Sequence, residues 1–365
     1  MKLTLDQSTL ANLIGGPSSI VESKNTIPIL GHIKLSANAD NTVSTMATDL
    51  DIEAVTIADI DVGEPGECTV PAKPFETIVK RIPKSAMVAL EYDGKQLSIK
   101  AGRSKFNLQT LPADDFPKLG NNEYTNTAQI DAADFLHMLS KVKFAMSTEE
   151  TRYYLNGVYM HNSPETGDLI AVATDGARIA KMTFAGDVDV AGVIIPRKTV
   201  DRLAKMLDHV TGDVKLETSE TKLRVTGDGF SITSKVVDGT FPNYARVFPS
   251  SIKATMKVDA KEFSAASGSV AAVADARSKA VRLSVSGDEC SLSGRGDVGE
   301  AVSAVSVEYD GEPLEIGFNS AFTADFMAQA DGGMVSLGLS GPMDVALVRF
   351  DECPEFVGAL MPMRV

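Results

Sequence analysis

Val172-Ala173-Thr174-Asp175-Gly176-Ala177-Arg178-Ile179-Ala180 reads as a strand, a tight turn and a second strand. Leu169, Ala171 and Ala173 alternate into it, Thr-Asp-Gly breaks the run, and Ile179 leads out. The same Ala-Thr-Asp core stands 126 residues earlier, in Ser44-Thr45-Met46-Ala47-Thr48-Asp49-Leu50-Asp51-Ile52-Glu53-Ala54. In a chain of 365 residues such an echo points to an internal repeat, and a repeat decides the architecture before any single element does.

Outward from that echo, residues 1 to about 120 run strand, helix (Asp6 to Ile14, with Leu10, Leu13 and Ile14 on one face), then extended segments near 29–37, 42–48 and 51–60. Pro71-Ala72-Lys73-Pro74-Phe75 opens a second helix. Strands follow through Val88/Leu90, Leu97/Ile99 and Phe106/Leu108, the first two joined by Asp93-Gly94. From Ala128 the order restarts, with a helix from Asp131 to about Phe144. Pro196-Arg197-Lys198 restates Pro71-Ala72-Lys73 at 125 residues, as Phe241-Pro242 restates Phe116-Pro117. A third copy opens at Met256-Lys257-Val258-Asp259, 128 residues after Ala128-Gln129-Ile130-Asp131, and its second helix runs through Phe322 and Phe326. The expected class is α+β: three repeated domains at 1–122, 126–250 and 253–365, joined at the turn formers Gly120-Asn121-Asn122 and Pro249-Ser250-Ser251. Like domains on short linkers form a curved row, and a second chain related by two-fold symmetry closes it into a ring of six.

Composition removes several classes. Cys68, Cys290 and Cys353 are odd in number, far apart and without a CxxC pair, so they read as free thiols of a reducing cytoplasm. The four histidines are scattered, so neither a metal nor a cofactor is expected. No apolar run is long enough for a membrane span, and the N-terminus lacks an apolar signal core. Gly294-Arg295-Gly296-Asp297-Val298-Gly299 fits GxGxxG, but the residues after it alternate as a strand where a dinucleotide site needs a helix. There is no Walker loop, GxSxG elbow or plausible Ser/His/Asp set, so no catalytic residue is assigned. Asp49, Asp51 and Glu53 lie along one strand face and read most simply as solvated. The net charge of −14 opposes a nucleic-acid partner as a sum, yet DNA responds to local potential, and basic residues favour the helices.

Several strings in order resemble the bacterial β sliding clamp family: Thr26-Ile27-Pro28-Ile29-Leu30, Phe106-Asn107-Leu108 through Phe116-Pro117, Arg152-Tyr153-Tyr154-Leu155-Asn156-Gly157, the Ala-Thr-Asp-Gly stretch, Val237-Asp238-Gly239 with Phe241-Pro242-Asn243-Tyr244, and Met361-Pro362-Met363-Arg364. The resemblance covers the whole chain. It implies the DNA clamp fold as a head-to-tail homodimeric ring, helices lining the hole and sheets outside, and a processivity factor rather than an enzyme. The implied partners are duplex DNA without sequence preference, a second copy of the chain, the replicative polymerase, the clamp loader and other clamp-motif proteins, with no membrane.

For DNA it implies Lys24, Lys73, Lys80, Arg81, Lys141, Lys143, Tyr153, Tyr154, Arg197, Lys198, Arg202 and Lys205, with Lys261, Arg277 and Lys279 on the third domain. The second helix of that domain departs from the pattern: it has no basic residue and carries Asp325. For a partner peptide it implies a cleft walled by Arg152, Leu155, Thr174, Gly176, Ala177, Arg178 and Ile179, by Pro242, Arg246 and Val247, by Asn319, Phe322 and Met343, and by Leu360, Met361, Pro362, Met363 and Arg364. Methionines make such a groove adaptable, and its arginines are expected at the rim, facing acidic or carbonyl groups. Ala177 replaces a larger polar residue common in similar clamps, and Ser278 stands where an aromatic can occur. At the seam Phe106 would meet Ala272 and Val273, smaller than in some relatives, so a less tenacious dimer is expected. Two other readings stay open at this point: a peptide-binding scaffold that does not encircle DNA, and an enzyme with an unrecognised site.

Overall fold

The computed structural model describes residues 1–120 and 123–365, so the expected join at Gly120-Asn121-Asn122 lies partly outside the described residues. Six α-helices are described: α1 (Gln7–Ile20), α2 (Ala72–Arg81), α3 (Ala132–Val142), α4 (Arg197–Leu207), α5 (Ala260–Ala271) and α6 (Ser320–Ala328). Asp6 starts α1 by accepting the Thr9 amide, and the helix runs six residues beyond the Ile14 expected, through Pro17 to a buried Ile20. In α2, Phe75 and Val79 are fully buried while Lys73, Lys80 and Arg81 face out, and α4 likewise buries Val200, Leu203 and Leu207. Burying a side chain such as Phe75 stabilises by about 2–3 kcal/mol.

The chain divides into two compact units, Met1–Leu136 with Val188–Val236 and His137–Asp187 with Val237–Val365. In the first, eight antiparallel strands run in the order Asn126–Asp131, Asp213–Thr218, Lys222–Gly227, Phe230–Lys235, Ile52–Asp59, Thr42–Thr48, His32–Ala37, Gly66–Pro71. The Phe230–Lys235 strand pairs with Ile52–Asp59, so one sheet passes from the first sequence repeat into the second. A five-stranded sheet ends on Ser104–Gln109.

In the second unit, the strands Gly157–Asn162, Leu169–Thr174, Arg178–Phe184, Cys353–Leu360, Ala346–Phe350, Met334–Leu339, Ala254–Asp259 and Glu308–Tyr309 are neighbours in that order. Arg178–Phe184 pairs with Cys353–Leu360, again joining one repeat to the next. A four-stranded sheet ends on Gly299–Ser306. Because both long sheets cross repeat boundaries, the compact units cut through the second repeat rather than between repeats.

The two Thr-Asp turns share a hydrogen-bond plan. Asp49 Oδ1 accepts from the Asp51 and Ile52 amides at 2.9 and 2.7 Å, and Asp175 Oδ1 from the Ala177 and Arg178 amides at 2.9 and 3.0 Å. Thr48 and Thr174 hydroxyls accept from the Leu50 and Gly176 amides. The residue after the aspartate is left-handed in both, Leu50 at φ 77° and Gly176 at φ 92°. The GxGxxG string is a hairpin tip, with Gly296 opposite Gly299. Its glycines let the end of α5 press close: a Cβ on Gly294 would meet Val270 Cγ1 at 2.8 Å, and one on Gly296 would strike the Val273 carbonyl.

Candidate functional site

The Asp175 turn forms one lip of a cleft of about 140 Å³. The residues lining it include Leu155, Thr174, Gly176, Ala177, Arg178 and Ile179 from around the turn, and Pro242 and Val247 from the segment leading into and through the short helical turn Tyr244–Val247. Met361 closes it from the chain's end, with Asn243, Tyr244, Val345 and Ala359 completing the wall. These last four escaped the sequence reading, although Asn243 and Tyr244 lie inside the quoted Phe241-Pro242-Asn243-Tyr244 string. The terminal segment is laced across the site: the Met361 amide donates to Ala177 O at 2.9 Å and the Met363 amide to Gly317 O at 2.8 Å.

Other expected wall residues fall elsewhere. Leu360 is a fully buried member of the last strand, opposite Arg178. Asn319 caps α6 through the Ala321 amide. Phe322 lies under the Arg178 guanidinium, 4.4 Å from its carbon. Met343, Arg246 and Arg364 are exposed and Pro362 is half-buried, none of them lining the cleft. Arg152 is exposed with its Nη1 over Gly176, where a Cβ would sit 2.9 Å away.

Arg178 corrects the expectation of a rim arginine free to meet a partner. Its side chain is 9% exposed, and every nitrogen is engaged inside the chain: Nε with Asp175 at 2.9 Å, Nη1 with Asp325 at 2.5 Å, Nη2 with the Phe144 carbonyl at 2.8 Å. Phe144 and Phe322 sandwich it. Asp325, the acidic departure on α6, is therefore the partner of an arginine.

Among the residues expected at DNA, Lys24, Lys73, Lys80, Arg81, Lys205 and Tyr153 are exposed, and Lys143, Tyr154, Arg197, Lys198 and Arg202 are half-buried. Lys80 also pairs with Glu76 at 2.6 Å along α2, a solvent-exposed pair of little strength. Tyr153 meets Tyr154 edge-on at 5.7 Å. Lys141 is a correction: its side chain is 8% exposed, bonded to Asp331 at 2.8 Å and to the Gln329 carbonyl, because its turn of α3 faces inward. Lys198 is held by Glu22 at 2.6 Å and by Asp49; burial alone would lower its pKa, but these bonds outweigh burial and raise it. Arg277 and Lys279 lie beyond α5, in the turn leading to the next strand.

The acidic trio does not share a strand face: Asp49 and Asp51 sit in the turn between strands Thr42–Thr48 and Ile52–Asp59, and Glu53 alone is in a strand. Asp49 binds Lys198 and the largely exposed Asp51 binds Lys235 at 3.0 Å, both in the second repeat, while Glu53 accepts the Leu119 amide at 3.0 Å at the end of the first. No helix among the described residues is long and apolar enough to cross a membrane, and no group of three His, Cys, Asp or Glu among them could hold a metal. The three cysteines are buried; burial pushes the Cys68 and Cys290 thiols up to about 12, which makes them inert.

A threefold α+β repeat with sheets running through the repeat boundaries defines a clamp-type chain. Family models describing the N-terminal, central and C-terminal domains of the DNA polymerase III beta subunit match residues 1–120, 129–243 and 245–364. The beta sliding clamp of Caulobacter vibrioides is 39% identical over 373 residues, covering all of both chains. Crystal structures give the same picture: a sliding clamp from Bartonella birtlesii bound to griselimycin (36% identical, TM-score 0.96, all of both chains) and the clamp of C. crescentus with polyethylene glycol bound (38%, TM-score 0.93, 100% of this chain and 99% of that one). The chain belongs to the bacterial DNA polymerase III β-subunit family, the sliding clamps.

Proposed function

We propose that the chain is a processivity factor: two copies close head to tail around duplex DNA and tether the replicative polymerase and other partners through the cleft. It is not an enzyme; the work is done by topology, in the cytoplasm. The observation that carries this reading is a pair of open sheet edges, Ser104–Gln109 in the first repeat and Gly299–Ser306 in the third. Phe106 stands exposed on one edge; Val302 on the other is 70% exposed, and Val298 at the adjoining hairpin tip 81%. An open apolar edge invites another strand, and two-fold symmetry would satisfy both at once. Ala272 and Val273, at the end of α5 beside that hairpin, would complete the seam with Phe106.

Lys24, Lys73, Lys80, Arg81, Lys205 and Tyr153, with the half-buried Lys143, Tyr154, Arg197 and Arg202, form the proposed DNA-facing set. Phosphate contacts of this kind are salt-sensitive and carry no base reading, which suits a ring that slides. The peptide cleft is the apolar pocket between the Asp175 turn, the 242–247 segment and Met361. Loading the protein onto closed circular DNA and then cutting the circle tests the mechanism. Retention on the circle and release on linearisation are expected; equal retention on linear DNA would leave only a scaffold that does not encircle DNA.

A further inference from the structure

His161, one of the four histidines that no metal or catalytic motif absorbs, sits behind the cleft. Tyr159 and His161 point to the same face of strand Gly157–Asn162 and stack at 4.6 Å and 22°. Phe241 continues the stack on Tyr159 at 5.0 Å and 14°. Tyr244 leans on His161 at 5.8 Å and meets Phe241 and Phe248 edge-on. The imidazole is fixed at both nitrogens. Nδ1 donates to the Asn162 carbonyl at 2.8 Å, which leaves Nε2 as the acceptor of the Tyr244 hydroxyl at 2.9 Å. Tyr244 opens the short helical turn that carries Val247, and it lines the cleft with Pro242 and Val247.

We propose that His161 is a positioning residue for the partner cleft: its neutral imidazole holds Tyr244, and with it the 242–247 wall, so that occupant affinity falls when the ring takes up a proton. The proposal rests on the reading of the cleft as a peptide site. The surroundings resist that proton. Lys181 on strand Arg178–Phe184 faces the ring with its positive charge, Arg349 stands beyond Lys181, and Tyr159 and Tyr244 are phenols whose burial holds them neutral; burial and the Lys181 charge pull the His161 pKa below its ordinary value. A protonated ring could keep the bond only by donating to the phenol, which would strip the Tyr244 proton of its acceptor and leave a full charge beside Lys181. Because the pKa is lowered, the latch stays closed through the ordinary histidine range and opens only as pH falls below it.

The test is fluorescence anisotropy of the full-length protein with a labelled synthetic peptide carrying the clamp-binding segment of the replicative polymerase catalytic subunit. Losing one hydrogen bond of about 1 kcal/mol predicts roughly fivefold weaker binding once the ring is protonated, setting in below the ordinary histidine range as pH is lowered from 7.5, with a midpoint matching the His161 imidazole titration followed by NMR. His161→Gln keeps a neutral acceptor, so it should bind like wild type at pH 7.5 and show no pH dependence. His161→Phe and Tyr244→Phe should each be weaker at pH 7.5, and the double variant no weaker than either alone. Wild type and His161→Gln sharing one pH profile would overturn the proposal. Absence of peptide binding by wild type at pH 7.5 would instead overturn the cleft reading itself, and the latch with it.

Discussion

Arg178 and Lys141 show how far a residue's type can mislead about its use. Both are basic, and both sit where a partner or DNA would welcome charge, yet each is turned inward and neutralised by an aspartate from the third repeat. Arg178→Ala removes a nearly buried ion from Asp175, so a loss of about 3 kcal/mol is expected, read as a lower thermal midpoint together with impaired peptide binding. A variant that lost peptide affinity at unchanged stability would restore the rim role. Lys141→Met should change stability by no more than about 1 kcal/mol, since its partner Asp331 is 77% exposed and water solvates the carboxylate left behind. It should also leave the salt dependence of DNA binding unaltered, whereas Lys73→Ala and Lys24→Ala should each reduce that slope.

The Thr-Asp turn is an element whose plan was visible in the chain, and its two copies differ at the left-handed position. Where the second copy has Gly176, the first has Leu50, both left-handed. Opposite signs follow. Gly176→Ala should destabilise by about 1–2 kcal/mol, from the left-handed backbone conformation; the exposed Arg152 side chain can move aside from the added Cβ. Leu50→Gly should be neutral to stabilising by roughly 0.5 kcal/mol, because relief of the left-handed cost slightly exceeds the added backbone entropy. Paired thermal melts measure both, and equal signs would mean that the two turns are not equivalent. Periodicity located α2, α4 and the alternating strands well. It ended α1 too early because Gly15-Gly16-Pro17 reads as a helix stop, whereas packing that buries Pro17 and Ile20 carries the helix on.

At the scale of the whole molecule, the prediction concerns the seam. Ala272 is exposed at the end of α5, and a larger aliphatic there would add apolar burial in the proposed dimer. Ala272→Leu should tighten association by about 2 kcal/mol at 0.8 kcal/mol per CH₂, roughly thirtyfold. Light scattering across a nanomolar dilution series reads it; wild type already wholly dimeric at the lowest concentration would remove the premise of a weak seam. The amino-acid order alone determined the threefold repeat, the α+β class and the Thr-Asp-Gly turn at Asp175, because these depend on local periodicity and on short strings, while much of the cleft's apolar lining came from the family resemblance those strings carry. Only the tertiary structure decided which charges are spent: that Asp49 and Asp51 clasp the neighbouring repeat, that Glu53 holds the end of its own, that Asp325 answers Arg178, and that His161 holds Tyr244. Each joins residues far apart in the chain, through sheets that run across the repeat boundaries, and no periodicity carries information about a partner at that distance.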